Sequence, residues 1–101
     1  MNNSQDLLNL LRIINKKPNL SQRELAKNMG FSLGKLNYCL NASKIKGLVK
    51  IKNFKNNPNK INYMYILTPK GISEKAKLTI NFMKRKIKEY EELKAEVDSL
   101  K

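Results

Sequence analysis

Few side chains in this 101-residue chain can do covalent chemistry. It has no histidine and one cysteine, Cys39. One chain therefore supplies neither a structural zinc site nor a disulfide framework. No nucleophile elbow, phosphate-binding glycine loop or carboxylate cluster occurs in residues 1–68, so catalysis is not expected and no cofactor or metal is called for. What remains is hydrogen-bond donors on a cationic background. Ser32, Lys35, Asn37, Tyr38 and Asn41 fall opposite Leu36 and Leu40 on a helical stretch. An asparagine amide can bond bidentately to adenine, and a lysine can reach guanine. A solvated helix surface would use the same residue types, and Tyr38 could equally cover the core. Cys39 reads as a small buried residue.

The charge distribution narrows the partner. The formal net charge is +13 and the pI about 10.0, so the chain repels itself and attracts polyanions. An AT-rich coding bias toward Lys, Asn and Ile accounts for part of this. Bias does not explain why the window between Glu24 and Glu74 holds no acid but contains Lys27, Lys35, Lys44, Lys46, Lys50, Lys52, Lys55, Lys60 and Lys70. The acids gather instead at Glu89, Glu91, Glu92, Glu96 and Asp98. The first part is composed to meet a polyanion, the last part for something else. No segment approaches the roughly 20 apolar residues of a membrane span, and the polar start has no signal-peptide pattern. A cytoplasmic location and no membrane partner are expected.

These side chains need a scaffold, and the periodicity supplies one. Leu7, Leu8, Leu10, Leu11, Ile13 and Ile14 give a first helix from Ser4 to Lys17, stopped by Pro18. Ser21-Gln22-Arg23-Glu24 is a capping box opening a short second helix that Gly30 ends. A third helix starts at Ser32 and ends at Gly47. Two helices joined by a short glycine-containing turn have the shape of a helix-turn-helix. From Leu48 to Phe54 the period becomes that of a strand, Lys55 to Lys60 reads as a turn, and Ile61 to Leu67 is a second strand. Thr68-Pro69 then opens a helix of more than 30 residues. Ala76, Ile80, Met83, Ile87, Tyr90, Lys94 and Val97 recur along it at heptad spacing, flanked by Leu93 and Leu100. Such a helix has nothing intramolecular to cover its far part, so a partner helix is implied. Ile80, Met83, Ile87, Tyr90, Leu93, Val97 and Leu100 are the dimerisation candidates.

The fold expected is mostly α with a small β-hairpin: a winged helix-turn-helix over residues 1–68 and a coiled-coil dimerisation helix over 69–101. Ser21-Gln22-Arg23-Glu24-Leu25-Ala26, Ser32 followed by Gly47-Leu48-Val49, and Leu67-Thr68-Pro69-Lys70-Gly71 resemble the winged-helix regulators of the MarR type. The short length and the basic-then-acidic last helix are most similar to the small MarR-like regulators associated with exopolysaccharide loci. The resemblance covers roughly Leu7 to Gly71. It implies a homodimeric DNA-binding regulator, with base contacts at Ser32, Lys35, Asn37, Tyr38 and Asn41. The sequence departs from that pattern in two places. Ser43 stands where the family has a leucine, so either its hydroxyl bonds back to a helix carbonyl or the helix end is shifted or weakened. The wing lacks the family's Asp and Arg pair.

A double-stranded DNA partner would be met by the helix over 32–46 in the major groove and by the wing over 50–62 on phosphate or the minor groove. Lys50, Lys52, Lys55, Asn57 and Lys60 line that wing. Ser21 and Gln22, at the amino end of the second helix, can hold a phosphate, although Ser21 also serves as a plain cap. Two-fold symmetry would set half-sites about one helical turn apart. Non-specific nucleic-acid or RNA binding and a coiled-coil protein adaptor are the competing functions. A small-molecule effector pocket is conceivable between the winged unit and the last helix.

Overall fold

The computed structural model describes residues 4–57 and 60–101, the stretches 53–57 and 60–63 by their backbone alone. The elements run α1 (Ser4–Lys16), α2 (Gln22–Met29), α3 (Leu33–Ile45), β1 (Val49–Asn57), β2 (Lys60–Leu67) and α4 (Pro69–Ser99). Three helices, an antiparallel two-stranded wing and a long helix make a winged helix-turn-helix.

Local chemistry sets the boundaries. Ser21 caps α2: its hydroxyl accepts from the Glu24 N–H and the Glu24 carboxylate accepts from the Ser21 N–H, each at 3.2 Å. Gly30 ends α2 in the left-handed region at φ 69°, where a side chain would be strained. Ser32 caps α3 by accepting from the Lys35 N–H at 3.1 Å. Three residues separate the two helices, enough for the helix-turn-helix bend.

The core lies where α1, α2 and α3 meet the root of the wing. Leu10, Leu11 and Ile14 of α1, Leu25 of α2, and Leu36, Cys39 and Leu40 of α3 are buried together with Leu48, Val49 and Tyr65. Phe31, in the turn, is half-buried against this cluster. Ser43 is buried as well, and its hydroxyl donates to the Cys39 carbonyl at 2.8 Å. Of the two expectations for this serine, the back-bond holds, and α3 continues to Ile45. Ile45 does not stand in for the missing leucine, because it is 87% exposed.

The wing pairs further than its composition suggests. Residues 55–60 read as a turn, yet β1 runs to Asn57 and β2 starts at Lys60. The register is Val49 with Leu67, Ile51 with Tyr65 and Lys55 with Ile61, then shifts so that Asn57 meets Lys60. Pro58 and Asn59 lie outside the described residues. Asparagine is a poor strand former, but backbone pairing continues from a hairpin already in register.

One joint ties wing to helix, and it explains a spacing in the sequence. Gly47-Leu48-Val49 and Leu67-Thr68-Pro69-Lys70-Gly71 come together there. Val49 pairs with Leu67, the Thr68 N–H donates to the Leu48 carbonyl at 3.0 Å, and the Thr68 hydroxyl donates to the Gly47 carbonyl. That same hydroxyl caps α4 by accepting from the Gly71 N–H at 3.0 Å. Gly71 is buried, and a Cβ placed on it would stand 2.0 Å from the Leu48 carbonyl oxygen. Only a glycine lets the first turn of α4 lie on the strand root. Leu78, two turns on, packs against the core, so the start of α4 is fastened to the winged unit along one face.

Candidate nucleic-acid interface

The capped start of α3 and the core packing of Leu36 and Leu40 orient this helix, leaving its other side outward. Ser32, Lys35, Tyr38 and Asn41 are exposed, and Asn37 is half-buried. Tyr38 is 57% exposed, so it does not cover the core. Gly34 lies on the first turn with open space around it. Lys44 and Lys46, exposed at the end of α3, extend the cationic surface beyond the residues that helix spacing singled out.

Two of the predicted contacts are already occupied within the chain. The Lys35 ammonium lies 3.4 Å from the Asp6 carboxylate and 4.1 Å from the centre of the Phe31 ring. The lysine is exposed while Asp6 is half-buried, so water screens the pair at its lysine end, and the lysine can release Asp6 for a phosphate or a base edge. The Gln22 side-chain amide donates to the Tyr65 hydroxyl at 2.9 Å, which ties the start of α2 to β2. Neither pairing has a local sequence signal, because its members are far apart in the chain. Ser32 and Ser21 both spend their hydroxyl oxygens on caps.

On the wing, Lys50 and Lys52 are exposed and alternate with Val49 and Ile51, so they share one face of β1. The side chains of Lys55, Asn57 and Lys60 lie outside the described residues. Their backbones sit at the far end of the hairpin, with Asn57 paired to Lys60.

Burial pushes the Cys39 thiol up, away from the reactive thiolate. An open cleft of about 210 Å³ lies between α1 and α2, lined by Asn9, Arg12, Ile13, Lys16, Asn28 and Met29. It is smaller than the roughly 300 Å³ at which ligand pockets begin, and none of its lining residues belongs to α4, beside which the sequence leaves an effector pocket conceivable but with little room. Among the described residues no cluster of His, Cys, Asp or Glu could hold a metal ion, and no helix is long and apolar enough to cross a membrane.

Beyond the winged unit, α4 continues with its apolar seam uncovered. Ile80, Met83 and Ile87 are each just over half exposed, and Tyr90, Leu93, Val97 and Leu100 are more so.

Comparison with known proteins agrees with this architecture. Residues 7–42 match the sequence profile of a family described as winged helix-turn-helix DNA-binding. No curated protein matches the chain. Among solved structures, the chain is similar to Streptococcus pneumoniae FabT in complex with DNA. The TM-score is 0.63 at 20% identity over 85% of this chain and 58% of that one. It is similar also to Staphylococcus aureus MarR in complex with salicylate and kanamycin, with a TM-score of 0.68 at 17% identity, over 85% of this chain and 56% of the other. A variant of S. aureus MepR bound to an oligodeoxyribonucleotide gives 0.66 at 20% identity, over 97% of this chain and 75% of that one. The chain thus spans less than two thirds of the length of the first two. At these identities the likeness is one of fold.

Proposed function

We propose that this chain is a sequence-specific, double-stranded DNA-binding transcription regulator that acts as a homodimer. Residues 1–68 form the DNA-binding unit and residues 69–101 the dimerisation helix. The outward side of α3 enters the major groove with Lys35, Asn37, Tyr38 and Asn41 toward base edges. Lys50 and Lys52, with Lys55, Asn57 and Lys60 further out, take phosphates or the minor groove. Ser21, Gln22 and Ser32 sit at helix starts, where backbone N–H groups favour a phosphate.

The observation that carries this reading is the polar outward side of α3 in a helix-turn-helix, set in a stretch of sequence without a single acid between Glu24 and Glu74. The structures of FabT and of a MepR variant with DNA support the use of this fold on duplexes. A repressor is the simplest form of the function, since occupancy of a promoter blocks transcription without further surfaces. Regulatory regions of exopolysaccharide loci are the first to test, given the sequence resemblance. The function needs no cofactor, and a cytoplasmic protein is implied.

The test is a salt titration of binding to selected and bulk duplex DNA, with Lys35→Ala and Asn37→Ala alongside. The expected result is a preference for selected duplexes that both variants erase, leaving weak binding with a slope of about −0.9 per phosphate contact in log–log form. Equal binding of every polyanion, unchanged in both variants, would mean that α3 does not read bases. The RNA-binding and adaptor functions would then take its place.

A further inference from the structure

We infer that α4 pairs with α4 of a second copy of this chain in antiparallel orientation, in one register, and so holds the two winged units at opposite ends of the dimer. This rests on the proposed dimerisation through α4 and adds what that reading leaves open, the direction of the partner.

The free face of α4 is set by how the helix is anchored. Gly71 and Leu78, seven residues apart, lie on one face and pack on the chain's own core. Ile80, Met83, Ile87, Tyr90 and Val97 recur on the opposite face, each more than half exposed. A heptad seam turned away from its own domain needs a facing helix.

Charge selects the direction. Lys77, Lys84, Glu91 and Asp98 follow one another at seven-residue intervals along one edge of the seam, two cations and then two anions. Antiparallel coiled coils bring this edge against its own copy. In the register that layers Ile80 on Val97, Met83 on Lys94 and Ile87 on Tyr90, Lys77 meets Asp98 and Lys84 meets Glu91. Each contact occurs twice by symmetry. The other edge carries Thr79, Lys86, Leu93 and Leu100, which bring Leu93 against the Lys86 stem and Leu100 against Thr79. A slip of one heptad in either direction sets Lys84 on Lys84 or Glu91 on Glu91, so the register is also selected.

A parallel pair does worse. It keeps two Lys86–Glu91 contacts, but it stacks Lys94 on Lys94 in the seam, where like charges are costly. It also places both winged units at one end. Residues 1–68 carry twelve Lys and Arg against Asp6 and Glu24, a net charge of +10 each. In the antiparallel pair the two Gly71 anchors are roughly 50 Å apart at 1.5 Å per residue.

The experiment uses the full chain in a Cys39→Ala background, with folding checked by circular dichroism. Ile80→Cys and Val97→Cys chains are oxidised mildly, separately and after mixing. The expected result is a covalent dimer containing one of each chain in the mixture, and little from either alone. Self-linking of each variant alone would overturn the antiparallel arrangement. Sedimentation equilibrium of the unmodified chain separates the two levels, since a monomer at micromolar concentration would overturn pairing through α4 itself. A second pair of variants needs no cross-link. Glu91→Lys should weaken dimerisation by about tenfold, and Lys84→Glu combined with Glu91→Lys should restore it. A parallel dimer would show no such rescue, because Glu91 would then face Lys86.

Discussion

Replacing Gly71 with alanine sets two effects of opposite sign against each other. Alanine in a helix is favoured over glycine by about 1 kcal/mol. Against this, the new Cβ would stand 2.0 Å from the Leu48 carbonyl oxygen, 2.9 Å from its carbonyl carbon and 3.3 Å from its Cα. A carbon and a carbonyl oxygen rest at about 3.3 Å, so α4 and the root of β1 must separate by more than ~1 Å. Backbone lies on both sides of this contact, and neither can swing away as a side chain would. The Thr68 N–H bond to the Leu48 carbonyl would be strained by the same movement. Overpacking of this kind costs about 1–3 kcal/mol even when side chains can adjust. A net destabilisation of about 2 kcal/mol follows, near the upper part of that range less the helix gain. For a chain of this size that is a fall in Tm of roughly 10 °C. Urea unfolding followed by far-UV circular dichroism, at one fixed protein concentration, reads the change directly. Gly34→Ala supplies the internal control: it is helical, has negative φ and meets nothing within 4 Å, so the same substitution should be neutral or stabilising by up to about 1 kcal/mol. If both variants raise stability alike, α4 does not lie on the Leu48 carbonyl and the account of the joint is wrong.

Ser43→Ala should cost under about 1 kcal/mol, because the Cys39 carbonyl keeps its helix bond when the extra hydroxyl donor is removed. Ser43→Leu, which restores the residue typical of the resembling family, should destabilise by about 1–3 kcal/mol in a site closed around a serine; thermal melts of the two variants distinguish them. Tyr65→Phe and Gln22→Ala both break the tie between α2 and β2. If that tie is the whole role of Gln22, they lower stability by about 1 kcal/mol each and affect DNA affinity equally. A larger affinity loss in Gln22→Ala would mean that Gln22 also meets DNA. The Ser21 hydroxyl, and then the Ser21 N–H, hold the Glu24 carboxyl below the usual carboxylate range. Its contribution is therefore present above the unfolded pKa of about 4.3 and is lost as pH falls through the lower folded value. Urea midpoints should show Glu24→Gln weaker than the parent at pH 6, with the gap closing toward pH 3.

The elements that position the candidate interface are legible in the sequence because their signals are local. The capping box at Ser21–Glu24, the left-handed Gly30 and the Thr68-Pro69 start each act within a single turn of chain. Helical spacing of Leu36 and Leu40 likewise separates an inward from an outward side of α3. What the sequence does not display is pairing between distant segments. Nothing near Lys35 announces Asp6, nothing near Gln22 announces Tyr65, and the strand extent beyond Phe54 depends on the partner strand rather than on the asparagines themselves. Ser43 falls between these cases. Its back-bond is local chemistry that the sequence allows, but the burial that makes serine acceptable there is a property of the assembled core.

Thr68 is the sole residue between the last residue of β2 and the first of α4, and it is bonded to both sides of the joint. There is no slack there to take up torsion. Turning α4 about its own axis turns α3 through the same angle, so in a dimer the angular phase of the two recognition surfaces is fixed by the helix pair. Each base pair added between two half-sites rotates the second by roughly 34°, and a full turn takes about 10.5 base pairs. A protein with this joint should bind at one half-site spacing, losing affinity at half-turn insertions, which misphase the second half-site, and also at whole-turn insertions, which carry it about 34 Å out of reach.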